Sequence, residues 1–219
     1  WLVVFMINLI GGRIIPAFTR NWLRRSKPSL SEQQLPAAFA RIDIVATVAL
    51  AVFALATLFP VDELLLLALG LFTSIMQLWR LSRWQGIRTF NDPLVWMLHL
   101  AYGWIPLGVL IFSLGQLDWL PVSAGIHALA IGTVASMIVS VASRAALGHT
   151  SRPLIAHPLL VACIVLLSLA ALFRIAAAIS SAPFFMAAAT LFWTTAFICF
   201  AVPYLSILLL PPPEDQAHR

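Results

Sequence analysis

Long apolar runs alternate with short polar segments along the chain. An α-helix rises about 1.5 Å per residue, so about 20 apolar residues cross the roughly 30 Å hydrocarbon core of a bilayer. The pattern therefore predicts an all-α, polytopic transmembrane helical bundle with six full spans and one truncated N-terminal span. The truncated span covers residues 1–10 and ends at Gly11-Gly12-Arg13, and a polar stretch runs from there to Arg41. The full spans are predicted at residues 42–59, 64–79, 94–114, 119–141, 154–179 and 182–210.

These spans form one transmembrane domain, residues 1–210, and a soluble tail follows at residues 211–219. The sequence opens inside an apolar run and without a methionine, so we expect the C-terminal portion of a longer protein. The expected partners are the N-terminal half of the same protein and membrane lipid.

The composition narrows the class of protein. Hydrophobic residues make up 62% of the 219 residues and charged residues 10%, with a mean hydropathy of +0.98, whereas soluble proteins carry about 25% charged residues. This balance excludes disordered, collagen-like and disulfide-scaffold proteins. The net charge of +5 does not indicate a nucleic-acid partner, because the location of the basic residues decides their role in a membrane protein.

The basic residues are unevenly divided between the two sides of the predicted bundle. Of the 13 Lys and Arg residues, all except Arg174 fall in alternate loops or in the tail. Cytoplasmic loops of membrane proteins carry the excess of Lys and Arg. The sequence therefore predicts a multi-pass protein of the bacterial inner (plasma) membrane, with the basic loops and the C-terminus in the cytoplasm.

Two histidines lie inside predicted spans, where polar residues are costly and mark candidate functional sites. His99 lies about five residues past the cytoplasmic start of its span, and His127 about eight residues from the outer end of the next one. Neutral imidazole is a common metal ligand and the usual proximal ligand of haem iron. The alternative is a core histidine that bonds to a neighbouring helix. Because the two enter from opposite faces, we do not expect them to bind the same iron.

Two basic segments could bind an acidic group. Residues 144–152 (RAALGHTSR) are predicted to form a loop that bends at Gly148 and places His149 between Arg144 and Arg152. These arginines could clamp carboxylates or phosphates, such as haem propionates, and His149 could ligate a metal. Arg13 offers a similar cofactor contact. The alternatives are positive-inside topology for the loop and anionic lipid binding for Arg13.

Small residues recur on the helix that carries His127. Gly125, Ala128 and Gly132 are spaced to form one face, which suits either close helix contact or a flat cofactor. Helix packing is a sufficient explanation.

Four stretches resemble one known family, the NnrS family: residues 11–23 (GGRIIPAFTRNWL), 96–108 (WMLHLAYGWIPLG), 127–137 (HALAIGTVASM) and 144–152 (RAALGHTSR). The resemblance runs through essentially the whole chain. His99, His127 and His149 match histidines of these stretches. The usual family pattern is LGHTGR, in which a second glycine stands where this chain has Ser151.

The resemblance implies a bacterial inner-membrane protein that contains haem and copper and acts in nitric-oxide metabolism, denitrification or the nitrosative-stress response. It also implies about twice as many spans, of which these form the C-terminal half. It names neither a reaction nor a redox partner. Two other functions fit the same spans: a secondary transporter, or a structural membrane subunit without a cofactor.

The predicted orientation can be measured by cysteine labelling. Cysteines introduced at Ser31 and Ser151 should be protected from a periplasmic thiol reagent in intact cells, because both positions fall in basic segments. A cysteine at Gln116 should be labelled. Labelling of the Ser151→Cys variant from outside would overturn the orientation.

Overall fold

The structure is a computed structural model that describes residues 1–37, 39–180 and 182–211. The described residues form eight α-helices and no strand. The helices are α1 (Leu2–Ser26), α2 (Arg41–Ala56), α3 (Glu63–Ser82), α4 (Pro93–Leu114), α5 (Val122–His127), α6 (Ser136–His149), α7 (Pro158–Ser180) and α8 (Pro183–Leu209). A π-helical segment, Ala128–Ala135, joins α5 to α6 without a break.

Local sequence signals fix the starts of α3 and α4. The Asp62 carboxylate accepts a hydrogen bond from the Leu65 amide at 3.0 Å, and the Asp92 carboxylate accepts one from the Leu94 amide at 3.0 Å. Each carboxylate satisfies an amide that has no partner inside its helix. Pro93 follows Asp92 in the first turn of α4, where a proline costs no helical hydrogen bond.

Helix α4 is the centre of the bundle and is buried along most of its length. It packs against α1, α3, α5, the π-helical segment and α6. Glycines permit the closest contacts: a side chain at Gly125 would collide with the backbone of Phe112, and one at Gly132 with the ring of Trp104. The close helix contact predicted for the small residues is therefore confirmed.

Helices α7 and α8 pack as a hairpin on one side of this core. Cys163 is buried and Cys199 half-buried between them, both as free thiols. Much of the outward face of α8 is apolar and exposed, for example at Leu191, Ile198 and Leu205. An apolar outer surface is what a helix in contact with lipid tails requires.

Six helical segments in the described part are long and apolar enough to span a membrane, but they are not the predicted six. Helix α1 has 25 residues and continues through Gly11, Gly12 and Pro16, so the predicted end of this span at residue 10 is wrong. Both glycines are buried against neighbouring side chains and serve packing within the helix. Helix α2 has only 16 residues and is not among the six segments, whereas α1 is.

The predicted loop at residues 144–152 is also wrong over most of its length. Helix α6 continues to His149, and Gly148 is helical with open space beside it. Arginine, alanine and leucine are good helix formers, and they extend the helix past the span. The chain turns instead at Ser151, which has a φ of 54°. Most of the predicted soluble tail, residues 212–219, lies outside the described residues.

Ser151 adopts a conformation that favours glycine. A left-handed backbone costs an L-residue roughly 1–2 kcal/mol, and glycine avoids this cost. We expect Ser151→Gly to raise the free energy of unfolding by about 0.5–1 kcal/mol, measured as a higher Tm in detergent. Ser31, with a φ of −70°, supplies the control, since Ser31→Gly should not stabilise. A lower Tm for Ser151→Gly would contradict the assignment.

Candidate functional site

A groove of about 830 Å³ lies between the end of α3, the turn Gly86–Thr89, α4 and Leu172 of α7. We call it the His99 groove. Its lining is mainly apolar and includes the aromatic rings of Phe90, Trp96 and Trp104. Concave, mostly apolar surfaces with a few placed polar groups are the usual form of small-molecule and cofactor sites.

The polar group in this groove is His99, which is 8% exposed. Its Nε2 lies 2.8 Å from the hydroxyl oxygen of Thr19. The same hydroxyl oxygen lies 2.9 Å from the carbonyl oxygen of Ile15. With its single hydrogen on that carbonyl, the hydroxyl accepts from Nε2–H, and Nδ1 is then the nitrogen that carries a lone pair. Nδ1 has no hydrogen-bond partner among the described residues.

The imidazole is held by its neighbours as well as by Thr19. A methyl group at Gly86 would lie 2.6 Å from both Cγ and Nδ1 of His99, so a side chain there would displace the ring. The Trp84 ring meets the imidazole edge-on, with centroids 6.3 Å apart. Glycine on one side and tryptophan on the other fix the ring in one orientation.

The other two predicted histidines lie elsewhere in the bundle. Gly108 on α4 packs against Leu129, which places His127 level with about residue 110 of α4. At about 1.5 Å per residue, His99 is then roughly 16 Å away along the helix axis. His149 is exposed at the end of α6. The described residues contain no group of three His, Cys, Asp or Glu side chains that could hold a metal ion.

The predicted arginines do not line the His99 groove. Arg144 lies over the ring of Phe18, 4.1 Å from its centroid. Arg152 donates from Nη2 to the carbonyl oxygens of Leu210 and Pro211, at 3.0 and 3.2 Å, and so covers the end of α8. Their predicted role with a cofactor stays a prediction.

Arg13 lines a second cavity, of about 550 Å³, between α1 and the segment that leads into α2. We call it the Arg13 cavity. The predicted cofactor contact of this arginine also stays a prediction.

A buried ion pair, which the sequence did not predict, lies beside the Arg13 cavity, whose lining includes Asp43. Arg80 is 1% exposed and Asp43 is 3% exposed, and Arg80 Nε donates to Asp43 Oδ1 at 3.0 Å. Arg83 Nη1 donates to the other carboxylate oxygen at 3.2 Å. Buried charges require such pairing, because an isolated charge in an apolar interior is very unfavourable.

Hydrogen bonds connect this pair to the cores of α1 and α4. The amide nitrogen of the Asn8 side chain donates to Gln77 Oε1 at 2.8 Å, and the Tyr102 hydroxyl donates to the same oxygen at 2.7 Å. Arg80 Nη1 lies within bonding distance of the Tyr102 hydroxyl, at 3.1 Å, and of Asn8 Oδ1, at 3.2 Å. The network therefore links α1, α2, α3 and α4 through polar side chains.

A signal for this network was present in the sequence. Thr73, Gln77 and Arg80 are spaced four and three residues apart, which puts them on one face of a helix. A polar face on an otherwise apolar span indicates polar partners inside the bundle. The apolar pattern predicts that Arg80 begins the loop after its span, and this prediction is wrong, since Arg80 lies in the last turn of α3.

The described chain thus defines an all-α, multi-pass membrane protein with a histidine in an apolar groove and a separate buried ion pair. The sequence model of the NnrS protein family matches residues 1–211. The chain belongs to the NnrS family, as the four stretches predicted. Neither a curated protein nor a solved structure matches it.

The ion pair yields a stability prediction. Asp43→Asn keeps the side-chain shape but leaves the buried Arg80 charge without its carboxylate, so we expect a loss of about 3–5 kcal/mol, measured by equilibrium unfolding in mixed micelles. The control is Glu32→Gln, which removes the exposed partner of Arg20 and Arg24 and should leave the Tm nearly unchanged. Equal losses in the two variants would contradict a special role for the buried pair.

Proposed function

We propose that this chain acts in the response to nitric oxide as the haem-binding part of a multi-pass protein of the bacterial inner membrane. Membership of the NnrS family supports the nitric-oxide role and the membrane. The single observation that carries the haem assignment is the unpartnered Nδ1 of His99 in an apolar, aromatic groove.

The residues of the His99 groove would supply one protein ligand to a haem. Nδ1 is buried against Gly86, so iron would reach it only after the turn Gly86–Thr89 moves aside. Imidazole with a free lone pair is a ligand for haem iron, and the rings of Phe90, Trp96 and Trp104 offer flat apolar walls. Copper does not fit equally well, because the described residues supply no set of three candidate ligands. We therefore assign no copper ligands to this chain.

Each residue of the groove has a distinct task in this proposal. His99 would hold the iron through Nδ1, and Thr19 would keep the proton on Nε2 by accepting its hydrogen bond. Gly86 has no side chain that would displace the His99 ring, and the aromatic side chains would exclude water. Bound haem would supply an iron atom that can bind a small diatomic gas.

A secondary transporter is the second candidate, and the buried Asp43–Arg80 pair is the observation that favours it. Ionisable residues inside membrane helices often mark pathways for ions or protons. The two candidates differ in optical absorption, since a haem protein shows a Soret band and a transporter without cofactor is colourless.

The ligand assignment is tested by loading the purified chain with haemin in detergent and recording the Soret band. His99→Ala should remove or shift the band, whereas His127→Ala, on the opposite end of the bundle, should retain it. Thr19→Val keeps the shape of the side chain but removes the acceptor for Nε2–H, and it should shift the band while haem remains bound.

Two results would contradict the assignment. An unchanged spectrum in His99→Ala would reject His99 as the ligand. Failure of the parent chain to bind haemin, with the chain folded by circular dichroism, would favour the transporter.

A further inference from the structure

The Arg13 cavity contains a basic face that neither the fold nor the proposed haem site explains. Helix α1 contributes Gly12, Arg13, Pro16 and Arg20 to the lining. These residues lie on one side of the helix, because Gly12, Pro16 and Arg20 are four residues apart and Arg13 is next to Gly12. Asp43 and Trp84 form the part of the lining nearest the bundle core. The cavity is separate from the His99 groove, and no residue lines both.

One nitrogen of the buried Arg80 guanidinium is unused. Nε donates to Asp43, and Nη1 is surrounded by oxygens of Asn8, Thr47 and Tyr102. Nη2 makes no hydrogen bond within the described part of the chain. Arg80 is 1% exposed, so this unpaired nitrogen keeps only a trace of solvent contact, which is an unfavourable state for a charged group.

The free nitrogen lies behind the floor of the Arg13 cavity. A side chain at Gly12 would occupy the position of Nη2, and Arg80 Cζ lies 5.4 Å from the centroid of the Trp84 ring. Gly12, Asp43 and Trp84 all contact or approach the guanidinium, and all three line the cavity. Glycine at position 12 is the feature that brings the guanidinium this close to the cavity.

The charges around the cavity favour an anion. Asp43 does not oppose one, because its two oxygens accept from Arg80, Arg83 and the Ala40 amide. Glu32 is occupied by Arg20 and Arg24, and the hydrogen bond from Arg24 lowers the pKa of Glu32, so it stays ionised and bound. Arg13 has no hydrogen-bond or ion-pair partner among the described residues. The basic groups therefore exceed the acidic ones.

We propose that the Arg13 cavity binds a phosphate group, which Arg13 holds and which the positive charge of Arg80, behind Gly12, attracts. Guanidinium groups match the tetrahedral oxygens of phosphate with directed, charge-assisted hydrogen bonds. The apolar surfaces of Pro16 and Phe39 beside them suit the glycerol and first methylenes of a phospholipid. The group belongs either to an anionic lipid headgroup or to a soluble phosphate.

The position of the Arg13 cavity along the helices agrees with the position of a lipid headgroup in a bilayer. Asp43 lies in the first turn of α2 and Arg80 in the last turn of α3. The cavity therefore lies at the ends of these helices, on the side where α1 continues as the basic segment that ends at Ser26. Phosphates of a bilayer lie at this level, just outside the hydrocarbon core.

The test uses the full chain in neutral detergent after delipidation. In one arm, inorganic phosphate is titrated and the Tm is followed, with sodium chloride at equal ionic strength as the salt control. In the other arm, the chain is placed in nanodiscs of phosphatidylglycerol or phosphatidylcholine, and lipid that stays bound is counted by native mass spectrometry. We expect selective retention of phosphatidylglycerol or a phosphate-specific rise in Tm.

The variants assign the binding to this cavity. Arg13→Gln should weaken it about tenfold, the value for loss of one charge-assisted hydrogen bond, whereas Arg25→Gln, an exposed arginine of the same helix outside the cavity, should bind like the parent. Arg13→Lys keeps the charge without the planar donor and should give an intermediate affinity. Since Arg13 is exposed, these variants should keep the Tm of the parent without ligand.

Each outcome decides the proposal. Retention of lipid that inorganic phosphate cannot displace identifies the headgroup as the source, and a phosphate-specific rise in Tm without lipid selectivity identifies a soluble phosphate. Equal binding by Arg13→Gln and Arg25→Gln, or an equal effect of chloride, would overturn it. None of these readouts depends on haem.

Discussion

The buried pair of Asp43 and Arg80 is the interaction on which the arrangement of the first four helices depends. Desolvation of two charges is costly, and hydrogen bonds from neighbouring polar groups offset part of the cost. Here Asn8 and Tyr102 lie within bonding distance of Arg80, and both bond to Gln77. Because these partners come from different helices, the helices can slide past each other only by breaking charged hydrogen bonds.

The same network positions the candidate haem ligand. Tyr102 follows His99 by three residues on α4, so the two side chains lie on neighbouring parts of one helix face. Trp84 packs against both, with its ring centroid 4.6 Å from that of Tyr102 and 6.3 Å from that of His99. His99 therefore packs against Trp84, Trp84 packs against Tyr102, and the Tyr102 hydroxyl lies 3.1 Å from Nη1 of Arg80. His99 itself does not touch the ion pair.

The sequence predicted the class of fold because a bilayer imposes long apolar helices, and this requirement is visible in any window of about 20 residues. It also predicted His99, since a histidine in such a window is conspicuous. It did not predict the limits of α1 and α6. The pattern predicts a helix end at Gly11 and Gly12 and a loop bend at Gly148, but a glycine that packs against another helix or faces open space is compatible with a continuous helix.

Contacts between distant residues could not be predicted from spacing. Thr19 and His99 are 80 positions apart, and only the folded chain shows that the Thr19 hydroxyl lies 2.8 Å from Nε2 of His99. Asp43 was not considered because a lone acidic residue near a span end is ordinary. Its importance comes from Arg80 and Arg83, which the sequence analysis placed with the other basic loop residues.

The ion pair also imposes an order on the assembly of the protein during synthesis. Asp43 precedes Arg80 by 37 residues, and a ribosome adds about 5–20 residues per second, so the carboxylate exists for roughly 2–7 s before its partner does. Asp43 lies in the first turn of α2, where it can stay among water and headgroups during that interval. The bundle can therefore close around α2 only after α3 has been made, and α1 must wait with Asn8 unpaired until the same moment.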